Sequence, residues 1–209
     1  MTKKLWSPTQ QTVKNSLLSQ FTNAVNGEGT GQFLDYDALH QWSIENPADF
    51  WSAYWDFAEL QASHKGAIAV EDLDQFPGAR WFPDAKLNYA ENLLTTRSNK
   101  TAFVSILENG ERRSISYEQL YSETGNVQSL LKSHVSMGDR VAGWLPNTIE
   151  TAVAMLATSS LGGVWSSCSP DFGIEGALDR FGQIEPKVLF ACDGYFYAGK
   201  RINIREKVR

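Results

Sequence analysis

The stretch from Gly138 to Asp193 constrains the fold most strongly, because it alternates short apolar runs with amphipathic segments. The apolar runs lie at residues 141–145, 164–168 and 188–192. Between them, apolar side chains recur at helical spacing. Strands that are almost continuously apolar and alternate with helices are typical of a parallel sheet covered on both faces. We therefore predict an α/β fold in the order strand, helix, strand, helix, strand.

The carboxyl ends of these three runs mark the edge at which a ligand is expected. In an open parallel sheet, ligands bind beyond the carboxyl ends of the strands. Here those ends fall at residues 146–147, 168–171 and 193–194. The alternative interpretation is a set of ordinary turns, because Pro, Asn, Asp and Gly favour turns for local reasons.

Polar residues and cysteines at the same edge allow two structural predictions. Asn147 is placed to cap the first helix, with Glu150 three residues later as in a capping box, and Asp171 is placed to cap the second. Cys168 and Cys192 each end a strand. If those strands are neighbours, the two thiols lie close together, because neighbouring strands are about 4.8 Å apart. We predict that the two cysteines lie near each other and that both thiols stay reduced.

Composition and charge narrow the class of protein. The chain has 209 residues, of which 42% are hydrophobic, enough for one or two domains with a buried core. Its net charge of −5 argues against a nucleic-acid partner. It has no apolar run long enough to span a bilayer, no signal-peptide core after Met1, and too few cysteines for a disulfide framework or a metal cluster. We expect a cytoplasmic protein with small-molecule substrates, no nucleic-acid partner and no membrane partner.

The amino-terminal part is predicted to be helical and rich in aromatic residues. Ser7 begins a capping box, and apolar residues then recur at helical spacing up to Ala24. Asp35 and Asn46 are placed to begin two further helices. The aromatic residues at 50–57 are interpreted as core. Because the aromatic density falls after Asn99, we predict a helical extension over residues 1–99 and an α/β domain over residues 100–209.

A β-hairpin and a further helix are predicted after residue 100. Asn109 and Gly110 form a strong turn signal between strands at 102–107 and 112–116. Ser116 then begins another capping box at the start of a helix. Residues 27–31 are glycine-rich, but no strand precedes them. We therefore interpret them as a flexible turn rather than a phosphate loop.

Several stretches resemble a known family. Residues 81–94 resemble the amino-terminal signature of the short-chain acyl-CoA synthetases, except that Asp84 stands where a glycine is expected. Residues 115–120, 138–142 and 161–165 are similar, in sequence and in spacing, to motifs of the wider class of adenylate-forming enzymes. Residues 89–94 and 164–173 look most like the branch of the family that activates acetoacetate.

The resemblance implies an ATP-dependent ligase that joins acetoacetate to coenzyme A through an acyl-adenylate, with Mg²⁺ neutralising the phosphates. It also implies an amino-terminal helical extension followed by the start of a parallel-sheet adenylate-forming domain. The family's Ser/Thr/Gly-rich phosphate loop and its carboxy-terminal lysine have no counterpart here, so we predict no catalytic residue and an inactive fragment. Two alternatives stay open. One is a sister ligase for acetate, propionate or another short acid. The other is a non-catalytic flavodoxin-like binding domain, which the absence of glycine at residues 145–148 disfavours.

The resemblance also implies ligand contacts within the chain. Tyr197, Gly199 and Lys200 match the place where acyl-CoA synthetases hold the 3′-phosphate ADP portion of coenzyme A, although tyrosine and lysine replace two arginines. A lysine holds a phosphate as a point charge, without the bidentate fork of arginine. The alternative is a solvated basic tail that leads into another helix. Further residues match the acyl or pantetheine tunnel, with core packing and turns as the alternative: Trp165 as a substrate contact, and Ser169, Pro170 and Asp171 as cofactor contacts.

Overall fold

The computed structural model describes residues 5–29 and 32–208. The glycine-rich segment at 27–31 lies partly outside these residues. By their contacts, the residues form two compact units, Met1–Leu87 and Asn88–Arg209, which we describe one at a time. The domain boundary predicted near residue 99 stays a prediction.

The helices and strands of the described residues follow one another along the chain in a mixed order. The helices are α1 Gln10–Lys14, α2 Leu17–Gly27, α3 Tyr36–Glu45, α4 Pro47–Phe57, α5 Tyr89–Leu93, α6 Tyr117–Leu131, α7 Ile149–Ser160, α8 Gly173–Gly182 and α9 Arg205–Val208, with a 3₁₀ turn at Pro170–Phe172. The strands are β1 Val70–Glu71, β2 Arg80–Trp81, β3 Thr101–Ile106, β4 Arg112–Ser116, β5 Arg140–Trp144, β6 Val164–Cys168, β7 Val188–Ala191, β8 Gly194–Tyr197 and β9 Lys200–Asn203.

Aromatic side chains form the core of the first unit. Phe21 is buried, and its ring meets those of Phe50 and Phe57 edge-on, with centroids 5.7 and 5.2 Å apart. Such edge-to-face pairs add to the stabilisation from burial alone. The expected aromatic core in α4 is therefore confirmed for these rings. Trp51 and Tyr54, also in α4, are not buried in this core, because each is 42% exposed.

The first predicted helix is divided in two. Thr9, not Ser7, caps α1 by accepting the N–H of Thr12, so the capping box predicted at Ser7 is wrong. Ser16 ends the first segment, because its hydroxyl donates to the Val13 carbonyl, and it caps α2 by accepting the N–H of Ser19. Short polar side chains interrupt helices in this way, because they offer the backbone local alternatives to helical hydrogen bonds. Asp35 caps α3 as predicted.

The second unit contains the predicted parallel sheet, and this confirms the α/β fold. The strand order is β6-β5-β7, and both pairings are parallel. On one face, Val141 packs in a buried cluster with Leu131 of α6 and Ala157 of α7. On the other face, Trp144 packs with Phe181 of α8. The central strand is thus buried on both faces, as its continuous apolar sequence predicts.

The prediction that Cys168 and Cys192 end neighbouring strands is wrong. Strand β5 lies between β6 and β7, so the two cysteines are on opposite sides of it. The physical reason is the handedness of the crossovers. Because α7 and α8 cover opposite faces, two right-handed crossovers carry the chain first to one side of β5 and then to the other. Both thiols are free, and burial raises the pKa of each.

The predicted helix caps of this unit have different outcomes. The capping box at Ser116 is confirmed, with reciprocal hydrogen bonds between Ser116 and Gln119. Asn147 does not cap α7, because Thr148 turns back to the Pro146 carbonyl and the helix begins one residue later than predicted. Asp171 does not cap α8, because it lies inside the 3₁₀ turn that precedes that helix.

Two antiparallel hairpins accompany the sheet. Strands β3 and β4 pair as predicted, and the Asn109 side chain accepts the N–H of Glu111 across their turn. Strands β8 and β9 form a second hairpin, and the helix predicted to begin after Lys200 is confirmed as α9, which begins only at Arg205, after β9. Among the described residues, no helix combines the length and the apolar character needed to cross a membrane.

Candidate functional site

A cavity of about 340 Å³ lies at the carboxyl edge of the sheet, where the sequence predicts a ligand. It opens beyond the ends of β5 and β7 and is bounded by the turn after β3 and by β8. Its lining is mostly apolar, with hydroxyl, thiol and carboxylate groups at a few points. The lining residues are Leu107, Glu108, Leu145, Pro146, Thr148, Glu150, Ala191, Cys192, Gly194, Tyr195 and Phe196.

The β8–β9 hairpin begins directly after this edge and is fixed at its base. Gly194 is required there, because a Cβ at this position would lie 2.5 Å from the carbonyl oxygen of Ile202 on the opposite strand. The Ile204 N–H donates to the Asp193 carbonyl at 3.0 Å. The Arg205 guanidinium donates to the Asp193 carboxylate at 3.2 Å. These two contacts join the residues that follow β9 to Asp193, which lies between β7 and β8.

The register of the hairpin determines which side chains share a face. Tyr195 lies opposite Ile202, and Tyr197 lies opposite Lys200. Directly opposed residues of an antiparallel pair, and residues two apart on one strand, project to the same face. Tyr195 and Ile202 pack against the buried cluster that contains Cys168. Tyr197 and Lys200 therefore continue the face that looks toward the carboxyl end of β6.

The turn after β6 presents the other predicted cofactor contacts to this face. The Ser169 hydroxyl donates to the Asp171 carboxylate at 3.0 Å, and Pro170, which lies between them in the sequence, is buried. The pKa of Tyr195 is raised, first by burial and then by the nearby Asp171 carboxylate. Tyr195 of the hairpin packs against the cluster that contains Cys168, the residue before this turn, so the segment 169–171 and the hairpin lie near each other.

Lys200 is available for an external anion. Its side chain is exposed, and among the described residues no hydrogen bond or ion pair involves its ammonium group. Arg205 is less available to an external anion, because its guanidinium is paired with the Asp193 carboxylate. Arg201 follows Lys200 directly and lies opposite Phe196, so its side chain projects to the other face of the hairpin. Lys200 begins the strand β9, and its side chain is exposed to solvent.

Trp165 lies apart from this edge. It occupies the second position of β6, where its ring centroid is 6.1 Å from that of Phe190. Its ring covers Gly143 of β5 so closely that a Cβ there would lie 2.5 Å from the indole. The structure does not bring Trp165 together with residues 169–171 or with the hairpin. Its role as a substrate contact stays a prediction, and its observed contacts are those of packing.

Tyr195 is the residue that the sequence reasoning missed, although a signal for its hairpin is present. The segment Tyr195, Phe196, Tyr197 is aromatic, as strands often are, and Ala198 and Gly199 follow it. Both turn residues have positive φ, 49° and 74°, as a two-residue type I′ turn requires. Alanine is uncommon at such a position, and this hides the turn signal.

Comparison with known proteins places the chain in a family. The family model described as AMP-binding enzyme matches residues 90–208, more than half of the chain. The chain belongs to the AMP-binding enzyme family. A second model, described as acetyl-coenzyme A synthetase N-terminus, matches residues 36–93. The carboxyl edge of the sheet and the β8–β9 hairpin both lie in the part that matches the AMP-binding enzymes.

Individual relatives agree with this membership. The acetoacetyl-coenzyme A synthetase of Rhizobium meliloti (strain 1021) is 40% identical over 208 residues, which are 99% of this chain and 32% of that protein. The malonamoyl-CoA synthetase of Penicillium aethiopicum is 35% identical over 195 residues, or 90% of this chain and 27% of that protein. This AMP-binding chain therefore spans about a third of the length of the curated relatives that it matches.

A solved structure supports the fold over nearly the whole chain. The acetoacetyl-CoA synthetase from Streptomyces lividans matches with a TM-score of 0.90 and 38% sequence identity. The match covers 99% of this chain and 33% of that one. The order of amino-terminal helices followed by a parallel sheet is thus that of the amino-terminal part of an AMP-binding acyl-CoA synthetase.

Proposed function

We propose that this chain is the amino-terminal part of an ATP-dependent ligase that joins acetoacetate to coenzyme A. The observation that carries the proposal is the agreement with acetoacetyl-CoA synthetases over nearly the whole chain, at 40% identity in one relative and a TM-score of 0.90 in one structure. The helical extension and the start of the sheet domain, with a boundary near residue 99, belong to the same proposal. The cytoplasmic location predicted from the sequence stays a prediction.

The proposed reaction has two steps. The acetoacetate carboxylate attacks the α-phosphorus of ATP, which forms acetoacetyl-adenylate and releases pyrophosphate. The thiol of coenzyme A then attacks the acyl carbon, so that the thioester forms and AMP leaves. Mg²⁺ supplies charge neutralisation on the phosphates in chemistry of this kind. We assign no residue of this chain to Mg²⁺, since within residues 5–29 and 32–208 no group of three or more His, Cys, Asp or Glu side chains is placed to hold a metal ion.

The part of this reaction that we assign to the chain is the binding of coenzyme A. Lys200 is exposed and, within the described part of the chain, has no hydrogen-bond or ion-pair partner, so it offers a positive charge to the 3′-phosphate. The neighbouring ring of Tyr197 offers a stacking surface for adenine. Gly199 leaves the backbone at the turn open, since nothing lies within 4 Å of the place of its missing Cβ. Residues 169–171 form the wall along which the pantetheine arm is proposed to pass.

The acid is the part of the proposal that needs a direct test, because one relative is named for malonamoyl-CoA. We expect acetoacetate-dependent ATP–pyrophosphate exchange in an enzyme of the relatives' length that carries this chain. Acetate, propionate and malonamate serve as competing acids, and kcat/KM is compared across the panel. A preference for acetate over acetoacetate would refute the assignment. The 209-residue chain alone should show no exchange, and exchange above background would show that the adenylation site lies within it.

The coenzyme A contact is tested at Lys200. We expect Lys200→Ala to raise the KM for coenzyme A about three- to tenfold, the effect of losing one exposed charge contact. ATP–pyrophosphate exchange should stay unchanged, because adenylation precedes attack by coenzyme A. Arg201→Ala is the matched control, since it removes the adjacent charge from the opposite face of the hairpin. An equal effect of both substitutions would indicate general electrostatic attraction and contradict a specific contact.

A further inference from the structure

We propose that a polar cavity between α5 and α6 binds a small zwitterion of the free amino acid type, at a site separate from the proposed coenzyme A site. The cavity has a volume of about 560 Å³, within the range of about 300–1,000 Å³ that is typical of small-molecule sites. Both helices line it, together with Arg97 in the connection after α5 and Ser160 at the end of α7. A buried hydroxyl without a protein partner and two opposite charges that do not pair with each other carry the proposal.

The cavity lies at the opposite end of the sheet from the proposed coenzyme A site. Helix α7 begins beyond the carboxyl end of β5, and its 12 residues span about 18 Å. Ser160 is its last residue and precedes β6 closely, so the cavity lies toward the amino ends of the strands. Among the described residues, this cavity and the one at the carboxyl edge share no lining residue.

The hydroxyl of Thr124 is the first observation that points to a ligand. Thr124 is on α6, lines the cavity and is only 2% exposed. In the described part of the chain, its Oγ1 has no hydrogen-bond partner. The comparable buried threonine of α7, Thr158, donates to the Ala154 carbonyl one turn earlier at 2.8 Å. A buried hydroxyl without a hydrogen bond is costly, and a ligand in the cavity would remove this cost.

Arg97 and Glu91 are the second observation, because they place two opposite charges at the wall of the same cavity. The Arg97 guanidinium lies over the Tyr121 ring, 3.4 Å from its centroid, and one of its N–H groups donates to the Thr96 carbonyl at 3.5 Å. The ring contact uses the face of the guanidinium and leaves its other N–H groups free for a carboxylate. Within the residues that the structure describes, neither Arg97 nor Glu91 forms an ion pair. The cavity therefore offers a cation to a carboxylate and a carboxylate to an ammonium group, and a free amino acid carries both.

The other walls of the cavity are polar and are held in place by hydrogen bonds. Asn88, at the start of α5, donates to the Ser159 carbonyl at 2.9 Å. Gln128 of α6 donates to the Ser160 hydroxyl at 2.8 Å. Both bonds reach the end of α7, so the helices that form the cavity are fixed without a ligand, which lowers the ordering cost of binding. Gly125 leaves one wall open, since nothing lies within 4 Å of the place of its missing Cβ.

The experiment measures the binding of L-serine and L-glutamine by titration calorimetry, with an enzyme of the relatives' length that carries this chain. Each probe combines a carboxylate and an ammonium group with a polar side chain that is suited to the Thr124 hydroxyl. We expect saturable binding that coenzyme A, ATP and acetoacetate do not displace. Ethanolamine, which is serine without the carboxylate, and 3-hydroxypropanoate, which is serine without the ammonium group, should each bind about tenfold more weakly.

Variants test the residues that carry the argument. Arg97→Ala and Glu91→Gln should each weaken amino acid binding about tenfold, and Gly125→Leu, which fills the open wall, should abolish it. Thr124→Val should weaken it about three- to tenfold without lowering the melting temperature of the free enzyme, because valine leaves no unpaired hydroxyl. Arg112→Ala in β4 is the matched control, since Arg112 is also exposed but does not line the cavity. ATP–pyrophosphate exchange should be unchanged in all of these variants.

Several outcomes overturn the proposal. One is the absence of binding of both amino acids to the wild-type enzyme, and another is their displacement by coenzyme A. Equal binding of serine and 3-hydroxypropanoate would indicate a site for anions alone. Equal effects of Arg97→Ala and Arg112→Ala would indicate general electrostatic attraction, and a lower melting temperature in Thr124→Val would show that the hydroxyl has a partner within the protein. None of these measurements requires acetoacetate to be activated, so the proposal can fail or stand independently of the proposed function.

Discussion

Gly143 tests most directly how the sheet is packed, because it has no room for a methyl group. A Cβ at this position would lie 2.5 and 2.6 Å from two carbon atoms of the Trp165 indole. Carbon atoms make favourable contact at about 3.5–4.0 Å. The alanine of Gly143→Ala therefore fits only if the indole moves by about 1 Å. Phe190 and the cluster around Val141 restrain that movement.

The expected cost follows from this overlap. Inserting a methylene group into a packed core costs about 1–3 kcal/mol. Because Trp165 is only partly buried, the indole can yield to some extent, so we expect about 1–2 kcal/mol for Gly143→Ala. In a chain of this length that corresponds to a fall in melting temperature of about 2–8 °C. Urea unfolding of the 209-residue chain, followed by far-ultraviolet circular dichroism, measures the change.

A second substitution makes the reasoning refutable. Trp165→Leu should destabilise the wild-type chain, because it leaves a cavity, but it should recover part of the stability lost in Gly143→Ala, because it removes the overlapping ring. Gly125→Ala in α6 is the control. Nothing lies within 4 Å of its missing Cβ, so it should stabilise the chain by about 0.5–1 kcal/mol. If Gly143→Ala is neutral, or if the two changes at Gly143 and Trp165 add, the described packing of Trp165 is wrong.

Two further predictions follow from the ion pair and the cysteines of the second unit. Arg113 donates to both carboxylate oxygens of Glu150, at 2.6 and 2.9 Å, and this lowers the pKa of Glu150 from 4.5 to about 2. The contribution of this pair to stability should be complete above about pH 4.5 and lost as the pH falls toward 2. Because both side chains are more than a third exposed, Glu150→Gln should cost only about 0.5 kcal/mol at pH 7 in urea unfolding, and a cost above 2 kcal/mol would contradict the screening assumed here. Oxidation of the folded chain should not join Cys168 to Cys192, because β5 separates their strands by two spacings of about 4.8 Å and a disulfide needs Cα atoms within about 7 Å; a 168–192 disulfide in a peptide map would refute the strand order.

The parallel sheet was predictable because burial on both faces leaves a simple signature. The predicted run at residues 164–168 coincides with β6. The run at 141–145 is shifted by one residue relative to β5, and the run at 188–192 extends one residue beyond the end of β7. The helix caps were less predictable. At Asn147 and Asp171 the residue type favours a cap, but a neighbouring turn shifts the helix start. A cap depends on one backbone hydrogen bond, and sequence spacing alone does not determine which residue makes it.

The order of the strands was not encoded in the pattern of apolar residues. Periodicity shows which segments are strands, but it does not show which strands pair, so the positions of Cys168 and Cys192 relative to β5 could not be derived from it. The handedness of crossovers supplies the missing information only when the faces covered by α7 and α8 are also known. Those faces depend on side-chain packing, in which Val141 and Trp144 of the same strand point to opposite helices.

The candidate site shows why a hairpin of this kind is harder to predict than the sheet that supports it. Tyr197 and Lys200 are three positions apart in the sequence, and only the two-residue turn between them places them side by side. That turn puts Ala198 at a φ of 49°, a conformation that costs an alanine about 1 kcal/mol relative to glycine. Sequence rules penalise such a turn, so they favour a tail or a helix entry here. The penalty is outweighed by contacts far along the chain, namely the packing of Tyr195 and Ile202 against the cluster that contains Cys168. The geometry of the candidate site is therefore a tertiary property, and residue-by-residue resemblance suggests its members without showing what holds them together.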